Sequence, residues 1–139
     1  MADALPEKTF QFDLVSPEKL LSSEQAQMVV IPGEAGDFGV LAGHSPLLSS
    51  IRPGVVTVYL PGGVQQKIFV AGGFADVNGA NCAVLAEEAV NVNDINRAEA
   101  EQQLKNLEED LSAAKDDAVK AAAVRARIAV AEAKIAAAA

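Results

Sequence analysis

Val55-Val56-Thr57-Val58-Tyr59-Leu60-Pro61-Gly62-Gly63-Val64-Gln65-Gln66-Lys67-Ile68-Phe69-Val70 sets the architecture of the chain. Two β-prone runs flank a Pro-Gly-Gly turn, the pattern of a hairpin, and Ile68 and Val70 share one face of the second run. Downstream, Gly72-Gly73 turns the chain into Phe74-Ala75-Asp76-Val77, and Asn78-Gly79 predicts a two-residue hairpin turn into Cys82-Ala83-Val84-Leu85. Upstream, Thr9 to Val15 alternates so that Phe10, Phe12 and Leu14 lie on one face, until Ser16-Pro17-Glu18 breaks the run. Gln27 to Ile31 reads as a further strand ending at Pro32-Gly33. Short strands at this spacing predict an antiparallel β-sandwich or barrel rather than a parallel α/β sheet.

The punctuation then stops. All 6 Pro lie at or before Pro61 and all 10 Gly at or before Gly79, while residues 91–139 are rich in Ala, the best helix former. The expected organisation is a β-sandwich over residues 1–90 and an Ala-rich antiparallel helix hairpin over 91–139, a mobile regulatory arm. Ala100, Leu104, Leu107 and Leu111 form one helical stripe, and Ala121, Val124, Ile128, Ala131 and Ile135 a second. Ser112 to Asp117 reads as the turn between them, with a new N-cap at Asp116 or Asp117. Ala-rich stripes bury little apolar area, so such a hairpin docks weakly and can leave its site without unfolding the sandwich.

Composition excludes several functions. In 139 residues there are 19 acidic and 11 basic side chains, a net charge of -8, which argues against nonspecific nucleic-acid binding. One Cys and one His cannot build a disulfide framework or a Cys/His zinc site. No run of 18 apolar residues predicts membrane insertion, and the first 15 residues lack the order of a secretory or transit leader. Gly33 to Gly39 lacks the Gly-Lys-Ser/Thr ending of a phosphate loop and reads as a tight turn needing positive φ. His44 reads as a structural histidine in a turn, since no catalytic partner adjoins it. Cys82 alternates with Val84 and reads as a small buried hydrophobe. Glu87-Glu88, consecutive on a strand, would face opposite ways and not cooperate. Asp94 and Arg97 stand one turn apart at the expected start of the first helix. They read either as a capping carboxylate with a local ion pair or as an anion site at free helix N–H groups.

Pro32 to Leu47, with Gly36-Asp37-Phe38-Gly39 and Gly43-His44-Ser45-Pro46 inside it, resembles a signature of the epsilon subunit of F-type ATP synthases. Phe69 to Val77, Val84 to Ala89 and Asp94-Ile95-Asn96-Arg97-Ala98 are similar to further motifs of that family, in order along nearly the whole chain. The resemblance implies a non-catalytic central-stalk subunit of a proton-translocating synthase, peripheral on the cytoplasmic face of the bacterial inner membrane. Its implied partners are the gamma subunit, the membrane rotor ring and, when the hairpin extends, the catalytic alpha/beta head, whose ATP hydrolysis the hairpin restrains. Gly36, Asp37, Phe38, Gly43 and His44 are the implied rotor interface, with Phe38 expected to project outward as an aromatic anchor. Asp94, Arg97 and Arg127 match an ATP site of some members. Ala123 stands where a further Arg is expected, so weak ATP binding at best is the expectation, with no other cofactor and no metal. Ala42 replaces a Pro common before the Gly-His pair, and Asn93 an apolar residue before the motif Asp. The alternative function is a free-standing nucleotide-sensing module that uses the sandwich as a scaffold. Binding to gamma would favour the first reading, and tight ATP binding lost on Arg97→Ala the second.

Overall fold

A computed structural model describes residues 5–138. The first four residues of the segment read for a leader, and Ala139, lie outside the described residues. The chain divides into two units, Met1–Asn91 and Val92–Ala139.

The first unit holds ten strands: β1 (Phe10–Val15), β2 (Leu20–Ala26), β3 (Met28–Gly33), β4 (Gly36–Val40), β5 (Leu47–Ile51), β6 (Gly54–Leu60), β7 (Val64–Val70), β8 (Gly73–Val77), β9 (Asn81–Ala86) and β10 (Ala89–Asn91). They hydrogen-bond in the order β10-β7-β6-β3-β5-β8-β9-β1-β2, with β4 on β3. β3 meets β5 through one residue pair, Gly33 with Ile51. The ladder therefore bends there into two layers, β10-β7-β6-β3-β4 and β5-β8-β9-β1-β2. The fold is the expected β-sandwich, and one ladder departs from the antiparallel rule: β1 runs parallel to β9.

Alternation decides what the layers enclose. Phe10, Phe12 and Leu14 of β1 turn inward to meet Val29, Ile31, Val56, Val58, Ile68, Val70, Val77 and Val84, all buried. The Pro61-Gly62-Gly63 turn forms as expected, with φ of 87° and 79° at the two glycines and Leu60 paired with Val64. Other turns differ from the sequence expectation. Neither Asn78 nor Gly79 has positive φ, so the turn is not the mirror-image type that Asn-Gly suggests. Instead the Asn78 side-chain oxygen accepts the N–H groups of Ala80 and Asn81, an Asx turn. Of Gly33 to Gly39, expected as one turn, only Glu34 and Ala35 turn, and β4 begins at Gly36. β2, β4 and β5 answer to no strand predicted above because they alternate weakly or are rich in Gly and Ser, and β10 because it is only three residues long.

In the second unit a 3₁₀ turn over Val92–Asp94 leads to α1 (Arg97–Ala113) and α2 (Ala118–Ala138). The connection is four residues long and the helices pack on each other as a hairpin. Ala100, Ala121 and Ala131 are buried, and Leu104, Leu107, Leu111, Val124, Ile128 and Ile135 are half-buried, on the two expected stripes. The Asp117 carboxylate accepts the N–H groups of Val119 and Lys120, the predicted second cap. The first cap corrects the expectation. Asn96, not Asp94, accepts the Glu99 N–H at 3.0 Å, and Arg97 pairs with Glu101 one turn on at 2.9 Å, so no local Asp94–Arg97 pair forms. Asn96 precedes the helix in extended conformation, where a cap must sit, whereas Asp94 is in the 3₁₀ turn.

Among the glycines of the sandwich the tightest approach is at Gly73, where φ is 137° and a Cβ would drive into the Leu85 carbonyl. Gly73→Ala is expected to cost about 3 kcal/mol or more in denaturant unfolding, beyond what φ strain alone imposes. A loss under about 1 kcal/mol would show that β9 can retreat.

Candidate functional site

The residues proposed from the sequence as a rotor interface fall at two ends of one strand. Gly36, Asp37 and Phe38 open β4, and Gly43 and His44 lie in the loop after it. The first group stands beside the exposed Glu34-Ala35 tip. Phe38 does not project outward: it is half-buried and packs against the core. Its ring covers Gly33, where a Cβ would come within 2.9 Å of it. Alternation is the physical reason, since Phe38 pairs with the buried Ile31 and so shares its inward face. Asp37, one residue back, faces out and forms an ion pair with Arg52.

The second group is tied to another turn. The Gly43 N–H donates to the Gly79 carbonyl at 2.8 Å, with Gly43 at φ 87°. His44 Nδ1 lies 2.6 Å from the Ser45 carbonyl oxygen and the His44 backbone N–H donates to Leu41. These contacts hold a loop and supply no nucleophile, as the structural reading of His44 expects.

Sequence reasoning missed a larger feature. The inward parity of β5, β8, β9 and β1 leaves the opposite parity on one outer face. Across it the register aligns Ser50, Phe74, Leu85, Val15 and Leu20 in one row. Phe74 is 54%, Leu85 49% and Leu20 57% exposed, and Leu48, two residues before Ser50, is 71% exposed. Four large apolar side chains gathered on one sheet face differ from scattered surface leucines. The signal was present in the outward positions of strands already recognised, but β2 and β5, which complete the row, were not.

Beside the row the face turns polar. Ser23 Oγ donates to Asp13 at 2.7 Å and Gln11 Nε2 donates to both Asp13 and Ser23. The Ser23 hydroxyl first, and the Gln11 amide second, hold the Asp13 carboxyl below its usual value. Asp76 lies two strands away with Ala83 between them. Cys82 faces the other way, into the core at 1% exposure. Burial first, then the charges of Asp76 and Asp13, push its thiol up to about 12. It is the buried hydrophobe expected, and it is inert as a nucleophile. Glu87 and Glu88 sit in the bend between β9 and β10 rather than on a strand. Their backbones hydrogen-bond Gly72 and Ala71.

Of the three residues matched to an ATP site, Arg127 lines an open groove of about 530 Å³ at the interhelix turn, with Asp110, Asp116, Asp117, Lys120 and Ala123, and neither Asp94 nor Arg97 lines it. Three carboxylates and two cations line this groove, an acidic balance. Among the described residues no group of three or more His, Cys, Asp or Glu could hold a metal ion.

Known proteins resemble the chain over both units. A family model described as ATP synthase, Delta/Epsilon chain, beta-sandwich domain matches residues 9–92. An ATP synthase epsilon chain of Rhodospirillum rubrum is 48% identical over 130 residues, 94% of this chain and 96% of that one. One from Paramagnetospirillum magneticum is 50% identical over 127 residues, 91% of this chain and 95% of that one. The fold is similar to a chain in the cryo-EM structure of the Euglena gracilis mitochondrial ATP synthase, OSCP/F1/c-ring in rotational state 1. The TM-score is 0.82 at 23% identity, covering 99% of this chain and 86% of that one.

Proposed function

The chain belongs to the ATP synthase epsilon-chain family, and on that premise we propose that it works in the central-stalk rotor, passing torque from a proton-driven membrane ring to the catalytic head. It is a structural subunit of the synthase and not itself catalytic. Gamma docks on the apolar row of Leu20, Leu85, Phe74 and Leu48, and the tip around Gly36 and Asp37 meets the ring. Gly43 and His44 brace the far end of the same strand. The row is the observation that carries this reading. A permanently held subunit needs a desolvated apolar anchor, and large side chains near the centre of such a patch dominate binding.

The helical unit is read as the regulatory arm. Its buried positions are alanines, so little apolar area resists its rearrangement, and docked and extended forms are expected within a few kcal/mol. Extended, it reaches the alpha/beta head and restrains hydrolysis. The subunit is peripheral, on the cytoplasmic face of a bacterial inner membrane. No helix of the described residues is long and apolar enough to cross a membrane. A free-standing nucleotide sensor is the weaker reading, because Arg127 opens onto an acidic groove that neither Asp94 nor Arg97 lines.

Phe74→Asp is expected to leave the unfolding midpoint of the isolated chain nearly unchanged, because the side chain is exposed. Affinity for gamma is expected to fall by about thirtyfold or more, as for loss of a hot-spot aromatic. Wild-type affinity would place the docking surface elsewhere. Calorimetric titration of the chain with ATP is expected to show binding weaker than micromolar. Micromolar or tighter binding, abolished by Arg97→Ala, would favour the sensor.

A further inference from the structure

Arg52 is the single Lys or Arg between Lys19 and Lys67. It occupies the corner between β5 and β6, where its backbone N–H donates to the Pro32 carbonyl at 2.9 Å. On the same side the Glu34 N–H donates to the Ser50 carbonyl at 3.0 Å. The guanidinium then crosses the β3–β4 hairpin. Nη1 donates to the Gly33 carbonyl and Nη2 to the Asp37 carboxylate. One planar fork thus bridges a main-chain acceptor on β3 and a side-chain acceptor on β4, a geometry that a lysine ammonium cannot reproduce. The corner is also close-packed, since a Cβ on Gly54 would lie 3.0 Å from the Pro32 Cβ.

We propose that Arg52 is a positioning residue for the exposed Glu34–Asp37 tip: it fixes the hairpin against the β5–β6 corner and cancels the Asp37 charge, so the tip meets its partner rigid and with one uncompensated carboxylate, that of Glu34, instead of two. The role in coupling rests on the reading above that this tip meets the rotor ring. The Arg52 and Asp37 side chains stay 43% and 61% exposed, so the pair adds little to global stability. Its effect is local. A tip ordered before contact loses less conformational freedom on binding, and an unpaired carboxylate brought to an interface is costly.

The test uses the full chain with Arg52→Gln, Arg52→Lys and the double variant Arg52→Gln/Asp37→Asn. Exchange of the Glu34 amide, which reports the tip directly, is expected to rise about tenfold in Arg52→Gln with the thermal midpoint nearly unchanged. Arg52→Lys should recover only part of that protection. In the reassembled synthase, Arg52→Gln should lower proton-driven ATP synthesis, and adding Asp37→Asn should restore most of it. Unchanged Glu34 protection in Arg52→Gln would overturn the clamp. Equal loss of synthesis in the single and double variants would overturn the charge-cancelling role. Faster Glu34 exchange with synthesis intact in every variant would leave the clamp standing and remove the ring-facing reading of the tip.

Discussion

The sandwich depends on one line of close backbone approach, Gly33–Ile51–Gly73–Ala86, that crosses four strands. Two layers must join where β3 and β5 share a single pair, and neither glycine on the line has room for a Cβ. At Gly33 a Cβ would press on the Gly36 carbonyl and the Phe38 ring, and at Gly73 on the Leu85 carbonyl. Closing that gap sets the register of β5, β8 and β9. Register in turn fixes which side chains face the core and which face out. A slip of one residue would bury Asp76 and expose Val77 and Val84.

The outer face is therefore a consequence of the inner one. With Ala75, Val77, Cys82 and Val84 buried, Phe74, Asp76, Ala83 and Leu85 have no choice but to face away. That these outward positions include Phe and Leu, continued by Leu48 and Leu20 on neighbouring strands, is the departure from ordinary surface composition. It lends the proposed docking face its physical basis. The same parity places Phe38 inward and Asp37 outward on β4, so the tip offers charge rather than an aromatic ring.

Much of this was legible in the sequence, for identifiable reasons. Phe10, Phe12 and Leu14 announce β1 because large apolar residues at every second position suit a half-buried strand and cannot share one face of a helix. Pro61-Gly62-Gly63 announces the β6–β7 turn because positive φ favours glycine. The helical stripes follow from 3.6-residue periodicity, and a cap at Asp116 or Asp117 from their side-chain chemistry, with Asp117 taking the role. The strands that escaped are those whose sequence gives the periodicity nothing to work on: Leu20–Ala26 carries Ser, Glu and Gln on a half-exposed edge, and three of the five residues of Gly36–Val40 are glycine or polar. Asp94 drew attention as a cap because its chemistry suits one, but backbone conformation two residues on gives the role to Asn96. Arg52 left no local signal, since its partners lie 15 and 19 residues away in sequence.

The central claim is that the apolar row on the β5-β8-β9-β1-β2 layer is the docking face within the synthase. It is tested most directly by placing a cysteine at Phe74 and following maleimide labelling of the free chain and of the assembled complex. Cys82, buried and with its thiol pushed up to about 12, stays silent in the background. The account predicts ready labelling of Phe74→Cys in the free chain and at least about tenfold slower labelling after assembly, as expected for a side chain at the water-excluded centre of an interface. Labelling at the free-chain rate in the intact complex would contradict it.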